Sequence, residues 1–187
     1  IDGIPRLIES NAHRHADESV TPFIATEFIV GKTLGAWRDS QETVSIETAT
    51  TITSRLLDIL QACHAKGCVH RDVKPDNIIL EGSAPARVWL LDFGISHHNL
   101  ADTDFQTEHW QEVGNRFLRL PDLSAGSRSK QDPRSDICFA AGILFYLLTG
   151  DHPDVLEDSE GRLPHQRTGA IAKLQNAASL RLVRLLA

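Results

Sequence analysis

The chain has 187 residues, of which 41% are hydrophobic, and this length and composition predict one domain with an ordinary core rather than general disorder. The formal net charge of -6 argues against nucleic acid or an anionic membrane surface as the main partner. Three cysteines without a dense framework favour a reducing compartment, so we expect a cytoplasmic protein.

The N-terminal part of the chain predicts a pair of strands. Two short apolar runs, residues 4–8 and 23–30, are separated by a polar, charged connection without periodicity, which indicates an antiparallel pair with a long loop. Gly31 breaks the second run, and Thr33 is a plausible N-cap for a short helix that carries Leu34.

The middle of the chain predicts a helix followed by a hairpin. Apolar residues recur at three- and four-residue steps from Ile46 to Cys63, as in an amphipathic helix, and Gly67 suits the left-handed end of such a helix. Two brief apolar runs, residues 78–80 and 88–91, predict strands joined by a connection rich in turn residues.

The last part of the chain predicts a long polar segment and two helices. Residues 96–134 are polar, and a structureless stretch of that length is usually functional. Residues 136–148 are apolar on every side and predict a helix buried all round, while residues 171–186 predict a final helix. The longest uncharged stretch, residues 137–150, is shorter than the roughly 20 residues of a membrane span, so we expect no membrane contact within the chain.

One stretch carries most of the chemical information. Residues 70–77 read His-Arg-Asp-Val-Lys-Pro-Asp-Asn, and Asp-Phe-Gly follows at 92–94. Asn77 and Asp92 lie at opposite ends of the predicted hairpin, whose ends must meet, and their oxygens are the hard ligands that Mg²⁺ prefers. Asp72 and Lys74 add a proton acceptor and a cation, which completes what phosphoryl transfer asks of a protein.

These two motifs, in this order, resemble the catalytic loop and the metal-binding motif of protein kinases. The Lys74-Pro75 pair resembles the serine/threonine branch of that family. The resemblance implies that Asp72, with Arg71 and Lys74 beside it, is the base that accepts the proton of a Ser or Thr hydroxyl on a protein substrate. It also implies that Asn77 and Asp92 hold Mg²⁺ and that Lys74 steadies the γ-phosphate of ATP.

A second motif resembles the kinase hinge. Residues 26–31 read Thr-Glu-Phe-Ile-Val-Gly, and the resemblance makes Thr26 the gatekeeper. It further implies that the backbones of Glu27 and Ile29 bond the adenine edge of ATP and that Ile79 packs under the adenine ring.

The family resemblance covers about residues 4–186. Residues 114–122 resemble the end of the activation segment, and Asp136 resembles the aspartate of the central helix that braces the catalytic loop. The implied fold is α+β and protein-kinase-like, with a mainly helical C-lobe that has short β-hairpins. We divide the chain into a partial N-lobe of two strands and hinge at 1–30 and the C-lobe at 31–187, with catalytic loop 70–77 and activation segment 92–122.

The chain departs from the family pattern in two ways. The glycine-rich loop, the strand lysine and its glutamate partner would precede Ile1, and the chain contains no Met, so we expect a piece of a longer protein. Residues 1–187 alone should then be weakly active or inactive, with the missing N-lobe as a partner in cis and apolar surface exposed on the predicted hairpin. Asn115, Leu118 and Asp122 replace a usual Thr, Tyr and Glu, which concerns substrate choice more than chemistry.

Several alternatives stay open at this level. A pseudokinase acting as a nucleotide-binding or scaffolding module is one, and a small-molecule phosphotransferase of related fold is another. A zinc cluster lacks the paired Cys-x-x-Cys spacing, although four candidate ligands lie close in sequence: Cys63, His64, Cys68 and His70. Arg71 could bind a phosphorylated residue of the activation segment. The candidates are Ser96, Thr103 and Thr107, and acids that could replace the phosphate are Asp102, Asp104 and Glu108.

Overall fold

The structure is a computed structural model that describes residues 1–11, 14, 19–21, 23–82, 87–93, 97–98, 117–120 and 132–185, with the backbone alone at 97–98 and 177–185. In chain order the elements are β1 (Leu7–Ser10), β2 (Ile24–Thr26), β3 (Lys32–Thr33), α1 (Leu34–Asp39), α2 (Ile46–His64), β4 (Cys68–Val69), a 3₁₀ turn (Pro75–Asn77), β5 (Ile78–Glu81), β6 (Arg87–Leu90), β7 (His97–His98), β8 (Leu118–Arg119), α3 (Arg134–Thr149), β9 (Asp154–Val155), a second 3₁₀ turn (Pro164–Gln166) and α4 (Thr168–Leu185). The predicted α+β class is confirmed. Within these ranges, no helix has both the length and the hydrophobicity of a membrane span.

The strands form small sheets around the helices. Strands β1 and β2 pair antiparallel, β5 lies between β3 and β6, β4 pairs with β7, and β8 pairs with β9 in parallel. The predicted hairpin of β5 and β6 is present with an unbroken register from Ile78 opposite Leu90 to Glu81 opposite Arg87. This hairpin matters most for function because the 70–77 loop leads directly into its first strand.

Helix α2 follows the predicted pattern closely. The Ser45 hydroxyl caps its first turn by accepting the N–H of Thr48, and the residues at helical spacing, from Ala49 to Cys63, are buried. Gly67 adopts a left-handed φ of 72° shortly after the last helical residue, as expected. The helix packs against α3 and β6, so its end delivers the chain to the 70–77 loop from inside the core.

Helix α3 is not buried on every side, and that prediction is wrong. Arg134, Ile137 and Ala141 form an exposed stripe, while Phe139 and Ile143 are fully buried. Helices α2 and α4 pack on other faces of α3 and leave Ile137 and Ala141 exposed. Because neither side chain is charged, the sequence pattern does not distinguish this exposed face from a buried one.

The end of α3 is held by a long-range contact. Gly150 terminates the helix with a left-handed φ of 77°. The Arg38 side chain of α1 lies over this terminus and donates to the Leu147 carbonyl at 2.9 Å. A cation at a helix C-terminus is favourable, so Arg38 joins α1 to the central helix.

The N-terminal strands are shorter than predicted and shifted. The predicted runs at 4–8 and 23–30 become β1 and β2, with an irregularity between Leu7 and Glu9. Ile4 leaves the pair because it packs against the main core, and the neighbouring Gly3 carbonyl accepts the N–H of Leu90 at 2.8 Å. Large apolar side chains on this part of the chain are exposed, namely Leu7, Ile8, Phe23, Ile24, Phe28 and Val30.

Candidate active site

A fully buried carboxylate organises the 70–77 loop from behind. Asp136 on α3 accepts the backbone N–H of His70 at 2.9 Å and that of Arg71 at 2.8 Å. The Nε2–H of His64, at the end of α2, donates to the same carboxylate at 2.8 Å. The prediction that Asp136 braces this loop is confirmed. Arg71 adopts a left-handed φ of 70°, which the two N–H bonds to Asp136 help to hold.

His70 is a buried spacer between the loop and the end of the β5–β6 hairpin. Its Nε2 donates to the Leu91 carbonyl at 2.9 Å, and its Nδ1 accepts the N–H of Asp72 at 3.2 Å. This pattern requires the neutral imidazole. Burial lowers the pKa of His70 below its ordinary value, in agreement with the neutral form. The ring also meets Phe93 edge-on, with centroids 4.7 Å apart.

Asp72, Lys74 and Asn77 share hydrogen bonds at the front of the loop. Lys74 Nζ donates to Asp72 Oδ2 at 2.5 Å, and Asn77 Nδ2 donates to the same oxygen at 3.0 Å and to the Asp72 carbonyl at 2.8 Å. Asp72 and Asn77 are buried, whereas Lys74 is partly exposed. Because the amide nitrogen of Asn77 is turned towards Asp72, its oxygen Oδ1 is directed away from that carboxylate.

The ends of the hairpin meet, as predicted. The N–H of Leu91 donates to the Asn77 carbonyl at 2.8 Å and closes this end of the hairpin. Asp92 is the next residue after this bond. Asp92 is exposed and has a left-handed φ of 61°, which turns the chain sharply out of the strand. Gly94, the last residue of this motif, lies outside the described residues.

The predicted hinge, residues 26–31, begins with the last residue of β2 and ends just before β3. Thr26 is exposed at the end of β2, and Ile79 is half-buried in β5. A Cβ placed on Gly31 would lie 2.6 Å from Ile79 Cγ2, so the end of the hinge segment rests on that side chain. The N–H of Glu27 donates to the Arg6 carbonyl at 2.9 Å, so this backbone donor already has a partner.

Arg71 lies beside Asp72 with part of its charge buried. In the part of the chain that the structure describes, Nε and Nη2 of Arg71 are buried and have no hydrogen-bond partner. Burial also lowers the pKa of this guanidinium. A nearby anion would therefore be stabilised, but the candidate partners from Ser96 to Glu108 lie outside the described residues.

The zinc alternative is not supported. Among the described residues, no group of three His, Cys, Asp or Glu side chains could hold a metal ion. Cys63 is buried, and burial raises the pKa of its thiol to about 11, so it packs as an apolar side chain. His64, considered from the sequence only as a zinc candidate, instead supports Asp136.

A mainly helical body with short hairpins, in which a buried aspartate braces the 70–77 loop, defines the protein-kinase-like fold. A family model described as protein kinase domain matches residues 5–181. The chain therefore belongs to the protein kinase family.

Similar proteins agree with this assignment. The chain is 38% identical over 158 residues to the serine/threonine-protein kinase Pkn1 of Myxococcus xanthus, which covers 82% of this chain and 20% of that protein. It is 32% identical over 140 residues to the serine/threonine-protein kinase PkaB of Streptomyces coelicolor, covering 70% of this chain and 32% of that protein. The chain thus spans about a fifth to a third of the length of these relatives.

A solved structure has the same fold. The chain matches Rad53 (residues 1–466, in complex with AMP-PNP) with a TM-score of 0.67 and 20% identity. The match covers 94% of this chain and 42% of that chain.

Proposed function

We propose that this chain is part of the catalytic domain of a serine/threonine protein kinase, which transfers the γ-phosphate of ATP to a hydroxyl group of a protein. The observation that carries the proposal is the shared cluster of Asp72, Lys74 and Asn77 on a loop fixed by Asp136. The names of the relatives support the reaction and the substrate class. The division into a partial N-lobe at 1–30 and a C-lobe at 31–187 stays a prediction.

Asp72 is the proposed base. Lys74 and Asn77 both donate to Oδ2, so the carboxylate is held through one oxygen while Oδ1 would accept the proton of the substrate hydroxyl. Lys74 lies within reach of both Asp72 and solvent, which suits a cation that contacts the transferred phosphate. Asp136 keeps this geometry by holding the loop backbone rather than by touching the substrate.

The residues at the hairpin end fit a magnesium ion. Asn77 presents an amide oxygen that is directed away from Asp72, and Asp92 presents an exposed carboxylate at the point where the hairpin closes. Both are hard oxygen donors of the kind that Mg²⁺ takes together with substrate phosphates. Bound there with ATP, Mg²⁺ would neutralise charge that develops on the phosphates.

The hinge residues complete the proposed nucleotide site. The Glu27 carbonyl and the Ile29 backbone would bond the adenine edge, with Ile79 under the ring and Thr26 beside it. The tight packing of Gly31 on Ile79 supports this arrangement because it brings the hinge and the floor of the pocket into contact. Val30 and Phe28, by contrast, are largely exposed.

The test uses the full-length protein, labelled ATP with Mg²⁺ and a generic basic protein as phosphate acceptor. The Asp72→Asn variant should lose about 10²–10⁴ in turnover, the usual contribution of a positioned base. The Asp92→Ala variant should lose the thermal shift that Mg-ATP produces, which for ligand at a hundredfold its dissociation constant is worth about 2.7 kcal/mol.

Asp58→Asn is the matched control, because Asp58 is an exposed acid on α2 outside this site. It should leave both measurements unchanged. A loss below tenfold in Asp72→Asn would remove Asp72 as the base. A wild-type protein that binds Mg-ATP but transfers no phosphate would instead support a pseudokinase-type binding or scaffolding module.

A further inference from the structure

The short segment 117–120 packs against the body of the chain and pairs with a neighbouring strand. Phe117, Leu118 and Leu120 are buried. By family resemblance this segment belongs to the end of the activation segment, which reads the protein substrate. What holds it in place therefore bears on substrate binding, and the inference below rests on the proposed function.

The first connection is a backbone pairing with the loop after α3. Leu118 and Arg119 of β8 pair in parallel with Asp154 and Val155 of β9. The N–H of Asp154 donates to the Phe117 carbonyl at 3.0 Å. Segment 117–119 thus takes its position from residues 153–155, which we call the seat loop.

The second connection is a cluster of three rings. The His152 ring meets Phe117 at 5.3 Å and Tyr146 at 5.2 Å between centroids, and Phe117 meets Tyr146 at 5.9 Å. All three contacts are edge-to-face, the favourable arrangement for such pairs. Gly142 admits the cluster, since a Cβ there would lie 3.1 Å from Phe117 Cε1.

The seat loop is itself held from the other side by one guanidinium. Arg167, just before α4, donates through Nη1 to the Pro153 carbonyl and through Nη2 to the Val155 carbonyl, both at 2.8 Å. The two acceptors flank Asp154, whose left-handed φ of 59° gives the loop its bend. A planar fork can make both bonds at once, whereas a lysine ammonium is a single point donor.

We propose that Arg167 and His152 are positioning residues for the protein substrate. Arg167 fixes the curvature of the seat loop, the seat loop fixes the backbone of 117–119, and His152 fixes the ring of Phe117. The described bonds of Arg167 go to the seat loop and the ring contacts of His152 go to Phe117 and Tyr146, whereas the 70–77 loop is held by Asp136. Their loss should therefore weaken binding of the protein substrate and leave ATP binding intact.

The test measures KM for a generic basic protein, KM for ATP, and kcat in the full-length enzyme. Arg167→Ala should raise KM for the protein by about tenfold with little change in KM for ATP, the pattern of lost substrate binding. Arg167→Lys keeps the charge but not the fork, so it should show most of this effect. His152→Ala should raise KM for the protein, and His152→Phe should restore it because the ring returns.

Arg162→Ala is the matched control. Arg162 pairs with Asp158 and Glu160 nearby but does not bond the seat loop, so its KM values should equal those of the wild type. An unchanged protein KM in Arg167→Lys and in His152→Ala, or an equal rise in both KM values, would overturn the inference while leaving the proposed function standing. A folded wild-type enzyme that transfers no phosphate would remove both.

Discussion

The first thirty residues and the rest of the chain differ in how far their large apolar side chains are buried. From Leu34 onward, apolar side chains converge on one buried cluster that includes α2, α3 and the β5–β6 hairpin. In the first thirty residues the strands pair, but their large apolar side chains face solvent, with Phe28 89% exposed. The described strands pair in both regions, whereas large apolar side chains are mostly buried in only one.

This difference indicates that contacts with the body of the chain stabilise the N-terminal strands. A two-stranded hairpin alone is marginal in water, so β1 and β2 depend on attachments to the body of the chain. The described attachments are the Leu90 bond to the Gly3 carbonyl, the packing of Ile4 and the pairing of Asp2 with Arg87. An exposed apolar face of this kind marks an interaction site or an aggregation risk.

The sharpest test of this contrast is the same substitution in both regions. Phe139→Ala empties a site on α3 that is 0% exposed and should lower the free energy of unfolding by about 3–5 kcal/mol. Phe28→Ala removes a side chain that buries little apolar surface, so it should change the free energy of unfolding by about 0.5 kcal/mol or less. Urea unfolding with comparison of midpoints and slopes measures both.

Equal losses of unfolding free energy in Phe139→Ala and Phe28→Ala would contradict the difference in burial between the two regions. A large cost for Phe28→Ala in the full-length protein, together with a small cost in residues 1–187 alone, would show that another segment covers this face. Ile171→Ala, exposed on α4, is the control for an apolar residue at the surface of the other region.

The second test compares two carboxylates. Asp136→Ala leaves the N–H groups of His70 and Arg71 without their acceptor, and at about 1–3 kcal/mol for each group the loss should total about 2–6 kcal/mol. Asp151→Ala breaks an exposed pair with Lys173 and should cost about 0–1 kcal/mol. The midpoint of urea unfolding measures both. Similar costs would mean that Asp136 is not the support of the loop.

Much of the fold followed from local sequence signals. The apolar spacing from Ile46 to Cys63, followed by Gly67, predicted the ends of α2 to within about a residue, because these signals act within a few turns. The bounds of the N-terminal strands were wrong because Ile4 packs on the distant core. The all-round burial of α3 was wrong because Ile137 and Ala141 face outward without being charged.

The site was predictable where its residues are near in sequence. Asp72, Lys74 and Asn77 lie on one loop, and their hydrogen bonding needed only that loop to be compact. Asp136 followed from family resemblance, but its partner His64 is 72 positions away and no pattern signals their contact. The role of Arg167 depends on two backbone carbonyls, which carry no residue signature at all.

The smallest expected effect concerns pH and the buried His70. Burial lowers its pKa below the ordinary value of 6.5. Below pH 6.5 the unfolded chain therefore binds a proton at His70 more readily than the folded chain does. Stability from this residue is therefore fully present above pH 6.5 and is lost as the pH falls from 6.5 towards the folded pKa. The charges of Asp136, Asp72 and Asp92 oppose the shift without reversing it.

Thermal unfolding from pH 8 to 5.5 should show this loss in the wild type and a flatter curve in His70→Phe. The variant loses the bonds of the ring at every pH, which lowers its whole curve without adding slope. His165→Phe removes an exposed histidine and should run parallel to the wild type. If His70→Phe also ran parallel, the folded and unfolded chains would bind a proton at residue 70 to the same extent over this pH range, and burial would not be lowering the pKa of His70. The lowered pKa attributed to burial would then have to be abandoned, while the contrast with the exposed N-terminal face would be unaffected.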